Sequence, residues 1–246
     1  MSRGDRFSRP LIAALLILSA AICATAQNSS AAKQNTRGPD SSSQSAAAPS
    51  VKAVADDARY GYEFKQPQFY INHIVIEHDA EGRGTISFER KELDEPIVEP
   101  LELSTEARGR ILALWEALRF LDSEANYQAE KQFPHLGTMF LRMTRGGRTR
   151  TAEFNWTHDA NAGALTAEYR RAADQAIFIF DINLARQHEP LNAPKLMDQL
   201  DTLLRRNGLS DPQQLVPLLR EIQTDERLPL IARNHAQRIL KKIEKQ

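Results

Sequence analysis

Two histidine–aspartate pairs carry the chemistry most open to a reaction: His78-Asp79 and His158-Asp159, each followed by alanine. An imidazole beside a carboxylate is what a metal site or an acid–base pair needs, so convergence of the two segments would bring four ligands into one shell. The same Asp-Ala step in a turn also serves as a loop former or a helix cap. A second cluster, Arg142, Arg145, Arg148 and Arg150, surrounds Gly146-Gly147. Guanidinium groups gathered at a hairpin tip suit a carboxylate, a phosphate or an acidic partner, with Arg145 and Arg148 nearest the turn, although a solvated turn carries arginine equally well. His73, between Ile71 and Val75, reads as a satisfied or half-buried strand histidine.

The signatures of the common enzyme classes are missing. The chain has no helix motif with two histidines four apart, no glycine-flanked nucleophilic serine and no phosphate-cradling loop ending in Gly-Lys-Ser or Gly-Lys-Thr. Its one cysteine, Cys23, lies in the leader described below, which leaves no thiol for nucleophilic or iron–sulfur chemistry and implies no cofactor.

These residues must be held by strands and helices whose pattern is readable. Residues 69–77 are rich in β-branched and aromatic side chains, and residues 85–90 alternate with Ile86 and Phe88 on one face, so the intervening turn chemistry predicts a hairpin. A further strand over residues 97–103 contains Pro100, which lacks a ladder donor and belongs at a sheet edge. Ser104 then predicts a helix N-cap, and Ile111, Trp115, Leu118 and Leu121 recur at helical spacing. Gly146-Gly147 supplies positive φ at both central turn positions of a second hairpin, 138–145 with 148–156. That loop length sets the register, with Met143/Arg150, Leu141/Ala152 and Met139/Phe154 on the core face and Thr144/Thr149, Arg142/Thr151 and Phe140/Glu153 on the other. A long helix follows from about Ala162, although Ile177-Phe178-Ile179-Phe180 fits a buried strand as well. Residues 127–137, carrying Phe133-Pro134-His135, form a long connection without clear periodicity, a binding loop or a surface wrap. The fold expected is α+β: a mainly antiparallel sheet of about five strands, two helices on one face, and a three-helix C-terminal extension.

The chain ends differ from this middle. Arg3, Arg6 and Arg9 precede an apolar run from Leu11 to Ile22 and the small residues Ala24-Thr25-Ala26, which predicts a cleavable signal peptide over residues 1–26 and an exported, periplasmic or secreted, protein. A dozen apolar residues fall short of the roughly 20 that span a bilayer, so no stable membrane span is expected after cleavage. Residues 27–59 are mostly Ser, Ala, Gln, Asn and Pro and predict a disordered linker, followed by an α+β domain over 60–190 and a helical part over 191–246. The chain holds 32 basic and 32 acidic residues; the leader takes three arginines and one aspartate, leaving a net charge of −2. Such balance gives no general attraction to nucleic acid.

In the helical part, Leu196, Leu200, Leu203 and Leu204 share a face before Gly208, Asp211-Pro212 opens the next helix, and Pro217 predicts a bend within it. Leu215, Leu218, Leu219, Asp225, Arg233, Ala236, Leu240 and Ile243 resemble a single HEAT-type helix pair, within residues 211–243. The resemblance implies a face suited to protein contacts; without a second copy the segment reads equally as a helical hairpin packed on the domain. Together these features point to a non-catalytic binding or assembly module whose partner meets the C-terminal helices or the arginine hairpin. A hydrolase or metal-dependent protein using the two His-Asp pairs is the alternative.

Overall fold

A computed structural model describes residues 57–245, so the expected signal peptide and nearly all of the expected linker lie outside the described residues. Six strands, β1 (Arg59–Lys65), β2 (Ile71–Asp79), β3 (Arg83–Arg90), β4 (Ile97–Glu102), β5 (Thr138–Arg145) and β6 (Arg148–Phe154), form one antiparallel sheet in the order β4-β3-β2-β1-β5-β6. Five α-helices accompany it: α1 (Thr105–Ala117), α2 (Ala160–His188), α3 (Ala193–Arg205), α4 (Val216–Thr224) and α5 (Leu230–Ile243). The class is α+β, with one strand beyond the expected five.

The additional strand is β1, and it is central. Its sequence alternates Tyr60, Tyr62 and Phe64, all buried, with Arg59, Gly61, Glu63 and Lys65 on the opposite face. It joins the β2–β3–β4 meander to the β5–β6 hairpin by pairing with both β2 and β5. Ala58, just before it, is fully buried, and the Asp57 carboxylate accepts from Gly146 N at 3.0 Å, so the start of the fold is tied to the second hairpin's turn. Gly146 and Gly147 have φ of 56° and 73°, and the β5–β6 register runs from Arg145/Arg148 to Met139/Phe154 as the turn length dictates. β4, with Pro100, is an edge strand paired only with β3.

α1 and α2 cover one face of the sheet. Ser104 caps α1 by accepting from Ala107 N at 3.1 Å, and Ile111 and Trp115 from that helix meet Leu165, Tyr169, Ala172, Ala173 and Ile177 of α2 over the inner strand residues. The segment 176–183 is helical throughout, part of the 29 residues of α2, about 44 Å at 1.5 Å per residue. That length lets α2 serve two cores: beyond Ile177 it turns Phe178, Ile182 and Ala185 into a second cluster with Met197, Leu200, Leu215, Leu219, Ile222, Ala236 and Ile239. Each buried Leu or Ile there contributes about 1.5–3 kcal/mol by leaving water.

Polar contacts fix the docking of the C-terminal helices. Gln175 accepts from Asp211 N at 2.9 Å and donates to Gln214 Oε1 at 2.9 Å, while Arg110 Nη2 donates to the Ser210 carbonyl at 2.7 Å. Asn207, with φ of 55°, takes the left-handed position after α3, and Gly208 N then donates back to Leu203 O at 2.8 Å. Pro217 does not bend a continuous helix. It stands in the first turn of α4, after a separate 3-10 turn over Pro212–Leu215 capped by Asp211.

Candidate ligand-binding cleft

The two His-Asp pairs lie at opposite ends of the sheet. Register aligns Asp79 with Arg59, Thr144 and Thr149, and aligns Ile74 with Phe64, Met139 and Phe154. Five residues separate these rows, about 17 Å of strand, and His158 lies beyond the second. α2 gives the same answer, because the ten residues from Asp159 to Tyr169, which touches His78, span about 15 Å. The four groups therefore share no first shell, which removes the geometric basis of the hydrolase alternative. Among the described residues, no group of three or more His, Cys, Asp or Glu is placed to hold a metal ion.

Three of the four have a structural task instead. His78 is 1% exposed: Nδ1 lies 2.7 Å from the Asp79 carbonyl and Nε2 lies 2.8 Å from the Tyr169 hydroxyl. A carbonyl only accepts, so Nδ1 carries the proton and Nε2 accepts from Tyr169, whose oxygen accepts in turn from Trp115 Nε1 at 2.9 Å. Burial holds the imidazole below its ordinary pKa, against the raising influence of Asp79. Asp79 accepts from Arg83 N at 2.8 Å in the β2–β3 turn. Asp159 is the N-cap of α2, accepting from Asn161 N and Ala162 N at 2.9 Å each, and His158 beside it is exposed.

The hairpin arginines are likewise dispersed. Arg142 projects to the open face of the sheet, Arg145 is exposed beside the turn, and Arg148 pairs with Asp122 at 2.8 Å. Arg150 donates to the carbonyls of Phe120 and Ala125 at 2.6 and 2.7 Å and lies 4.6 Å from the Phe120 ring, so it holds down the connection between α1 and β5. On the open face His73 bridges Glu63 and Glu89, 2.8 Å from each.

A site not anticipated from the sequence lies between α2 and the far end of the sheet's inner face. On α2, Gly163, Thr166, Ala167, Arg170, Asp174 and Ile177 recur at intervals of three or four and so share one stripe. That stripe faces Tyr62 and Phe64 of β1, Ile71 and Ile74 of β2, Met139 of β5 and Phe154 of β6 across a cleft of about 820 Å³. Such a volume falls in the range of roughly 300–1,000 Å³ typical of small-molecule sites. The mouth is lined by Phe69, Leu136 and Trp156, which are 47%, 37% and 43% exposed, an unusual gathering of accessible apolar surface.

The long connection after α1 builds one wall. Asn155 Oδ1 accepts from Phe133 N and from Gln128 Nε2, both at 3.2 Å, Gln66 donates to the Pro134 carbonyl at 3.0 Å, and Phe133 packs edge-on against Trp156. Gly137 has a φ of 88° and lies so close to Phe64 that a Cβ would come within 2.6 Å of the ring, which sets Leu136 at the opening.

The cleft's polar groups are few. Arg170, Arg171, Asp174 and Arg206 carry its charges, with Asn155, Thr157 and Thr166 alongside. Arg206 meets Asp174 at 3.3 Å, and Arg171 is engaged by the buried Glu168. Burial pushes the Asp174 carboxyl up, with Arg206 and Arg170 opposing, and burial likewise pushes the Tyr62 phenol up to about 12 while Arg170 pulls it down. The lining contains no His, Cys, Ser, Lys or Glu. Arginine, an amide, two threonines, the Tyr62 hydroxyl and the Asp174 carboxylate supply groups that can orient a ligand. No protein-family model and no curated protein matches the chain.

Proposed function

We propose that the protein is an exported, non-catalytic binding module whose ligand occupies the cleft between α2 and the inner face of β1, β2, β5 and β6. The observation that carries this reading is the lining itself: aromatic and aliphatic walls, exposed apolar residues at the mouth and a few orienting polar groups. The balanced charge of the chain after its leader favours a specific concave site over a broad electrostatic surface. The C-terminal helices, with the HEAT-like pair among them, supply a second surface through which the module would meet a protein partner.

Titration with the neutral fluorophore N-phenyl-1-naphthylamine tests the reading. Saturable binding at one site per chain is expected, accompanied by a change in Trp156 emission. Ala167→Trp, which fills the cleft from the α2 stripe, should abolish binding while the thermal midpoint is kept. Unsaturable uptake, or equal binding by the Ala167→Trp variant, refutes it.

A further inference from the structure

The cleft combines an apolar floor with an excess of positive charge at one side. Three of its lining residues are arginines and only Asp174 opposes them. The three are not equivalent. Arg171 is engaged by Glu168, and Arg206 by Asp174, whereas Arg170 makes no ion pair with any described carboxylate within 4 Å. Its guanidinium instead lies 5.6 Å from the Phe64 ring, over the cleft wall. The same guanidinium hydrogen-bonds the Tyr62 hydroxyl and lies within electrostatic reach of Asp174, yet its planar fork of five donors leaves some of them for an incoming anion such as a carboxylate.

Resting on the binding-module reading, we propose that the cleft's ligand is a small amphipathic anion, an acyl-chain carboxylate in its chemistry, with its head group on Arg170 and its tail along Phe64, Ile74, Met139, Phe154 and Ile177. Arg206, on the loop after α3, pairs with Asp174 at 3.3 Å and so engages the one carboxylate of the lining. The apolar lining holds no second carboxylate, so a cationic amphiphile would find one partner against three like charges.

Displacement of bound N-phenyl-1-naphthylamine by three twelve-carbon probes, each below its micellar concentration, tests the assignment. Dodecanoate should compete at about tenfold lower concentration than dodecanol, and dodecyltrimethylammonium should compete least. In Arg170→Gln, at an exposed position where an amide can still reach the Tyr62 hydroxyl, the advantage of dodecanoate over dodecanol should collapse. Equal competition by dodecanoate and dodecanol, or an advantage that survives Arg170→Gln, overturns the anion assignment and leaves the binding reading standing. Failure of the fluorophore itself to bind overturns both.

Discussion

Substituting phenylalanine for Tyr169 removes one oxygen from the centre of the domain and tests the role assigned to His78. That oxygen accepts from Trp115 Nε1 at 2.9 Å and donates to His78 Nε2 at 2.8 Å. Tyr169, Trp115 and His78 are 0%, 2% and 1% exposed, so neither freed group can turn to solvent. Each unsatisfied buried polar group costs about 1–3 kcal/mol, which gives a loss of about 2–5 kcal/mol for Tyr169→Phe. In a domain of this size 1 kcal/mol moves the midpoint by about 2–4 °C, so urea and thermal unfolding should both register the change, a fall near 10 °C. A cycle with Trp115→Phe should show less than additive losses, because the second substitution removes a donor already orphaned by the first. Nitrogen-15 NMR of the histidine rings supplies an independent reading: His78 should be the Nδ1–H tautomer and stay neutral below its ordinary pKa of 6.5. Because the folded pKa is depressed, the stability linked to this group is complete above about pH 6.5 and is lost as pH falls from there toward the folded value. A loss under about 0.5 kcal/mol in Tyr169→Phe, or an imidazole that titrates normally, would refute the buried relay.

Two further substitutions probe the other reassigned or linking residues. Asp159→Ala removes the α2 cap and should cost about 1 kcal/mol, measured by urea unfolding, with no change in fluorophore binding; a loss of binding without a loss of stability would return Asp159 to a ligand-contacting role. Asp225, whose carboxylate accepts from Arg227 and Arg186 and is held far below the usual carboxylate range chiefly by Arg227, joins α2 to the α4–α5 turn. Its stabilisation is complete above about pH 4 and lost as pH falls below, so Asp225→Asn should lower the midpoint at pH 7 and flatten the acid limb, and an unchanged acid limb would contradict the linkage.

What the sequence disclosed, it disclosed through local chemistry. Gly146-Gly147 determined a turn, the turn determined the β5–β6 register, and Ser104 and Pro100 marked a helix start and an edge strand because each acts on its own backbone. β1 escaped because Tyr60, Tyr62 and Phe64 directly follow a polar, low-complexity tract, although their period of two is as clear as that of any other strand. The run Ile177–Phe180 was ambiguous because burial on two sides erases periodicity; in the structure Ile177 faces the sheet core and Phe178 the helical core, so both sides of the helix are apolar. His78 and His158 looked equivalent in sequence and became opposite only through the pairing of β1 with both β2 and β5, a long-range fact. The cleft was least legible of all. Its walls come from four strands, α2, the connection before β5 and the loop after α3, and the one local hint was the 163–167–170–174–177 stripe, where glycine, alanine, arginine and aspartate share one side of the helix.

That stripe also bears on why the cleft stays open. α2 packs Leu165, Tyr169, Ala172 and Ala173 on the sheet and α1, and the inner wall of the cleft, Tyr62, Phe64, Ile74, Met139, Phe154 and Ile177, belongs to that same buried core. Gly163 and Ala167 are the small residues of the stripe, and Arg170, Asp174 and Ile177 follow them. Closing the gap would take the exposed Arg170 guanidinium out of water, and desolvating an ion costs several kcal/mol. The charges at its side therefore oppose closure of the cleft. A ligand that brings its own anion to Arg170 removes that obstacle and allows the walls to be covered, so binding and burial of the exposed mouth residues should occur as one event.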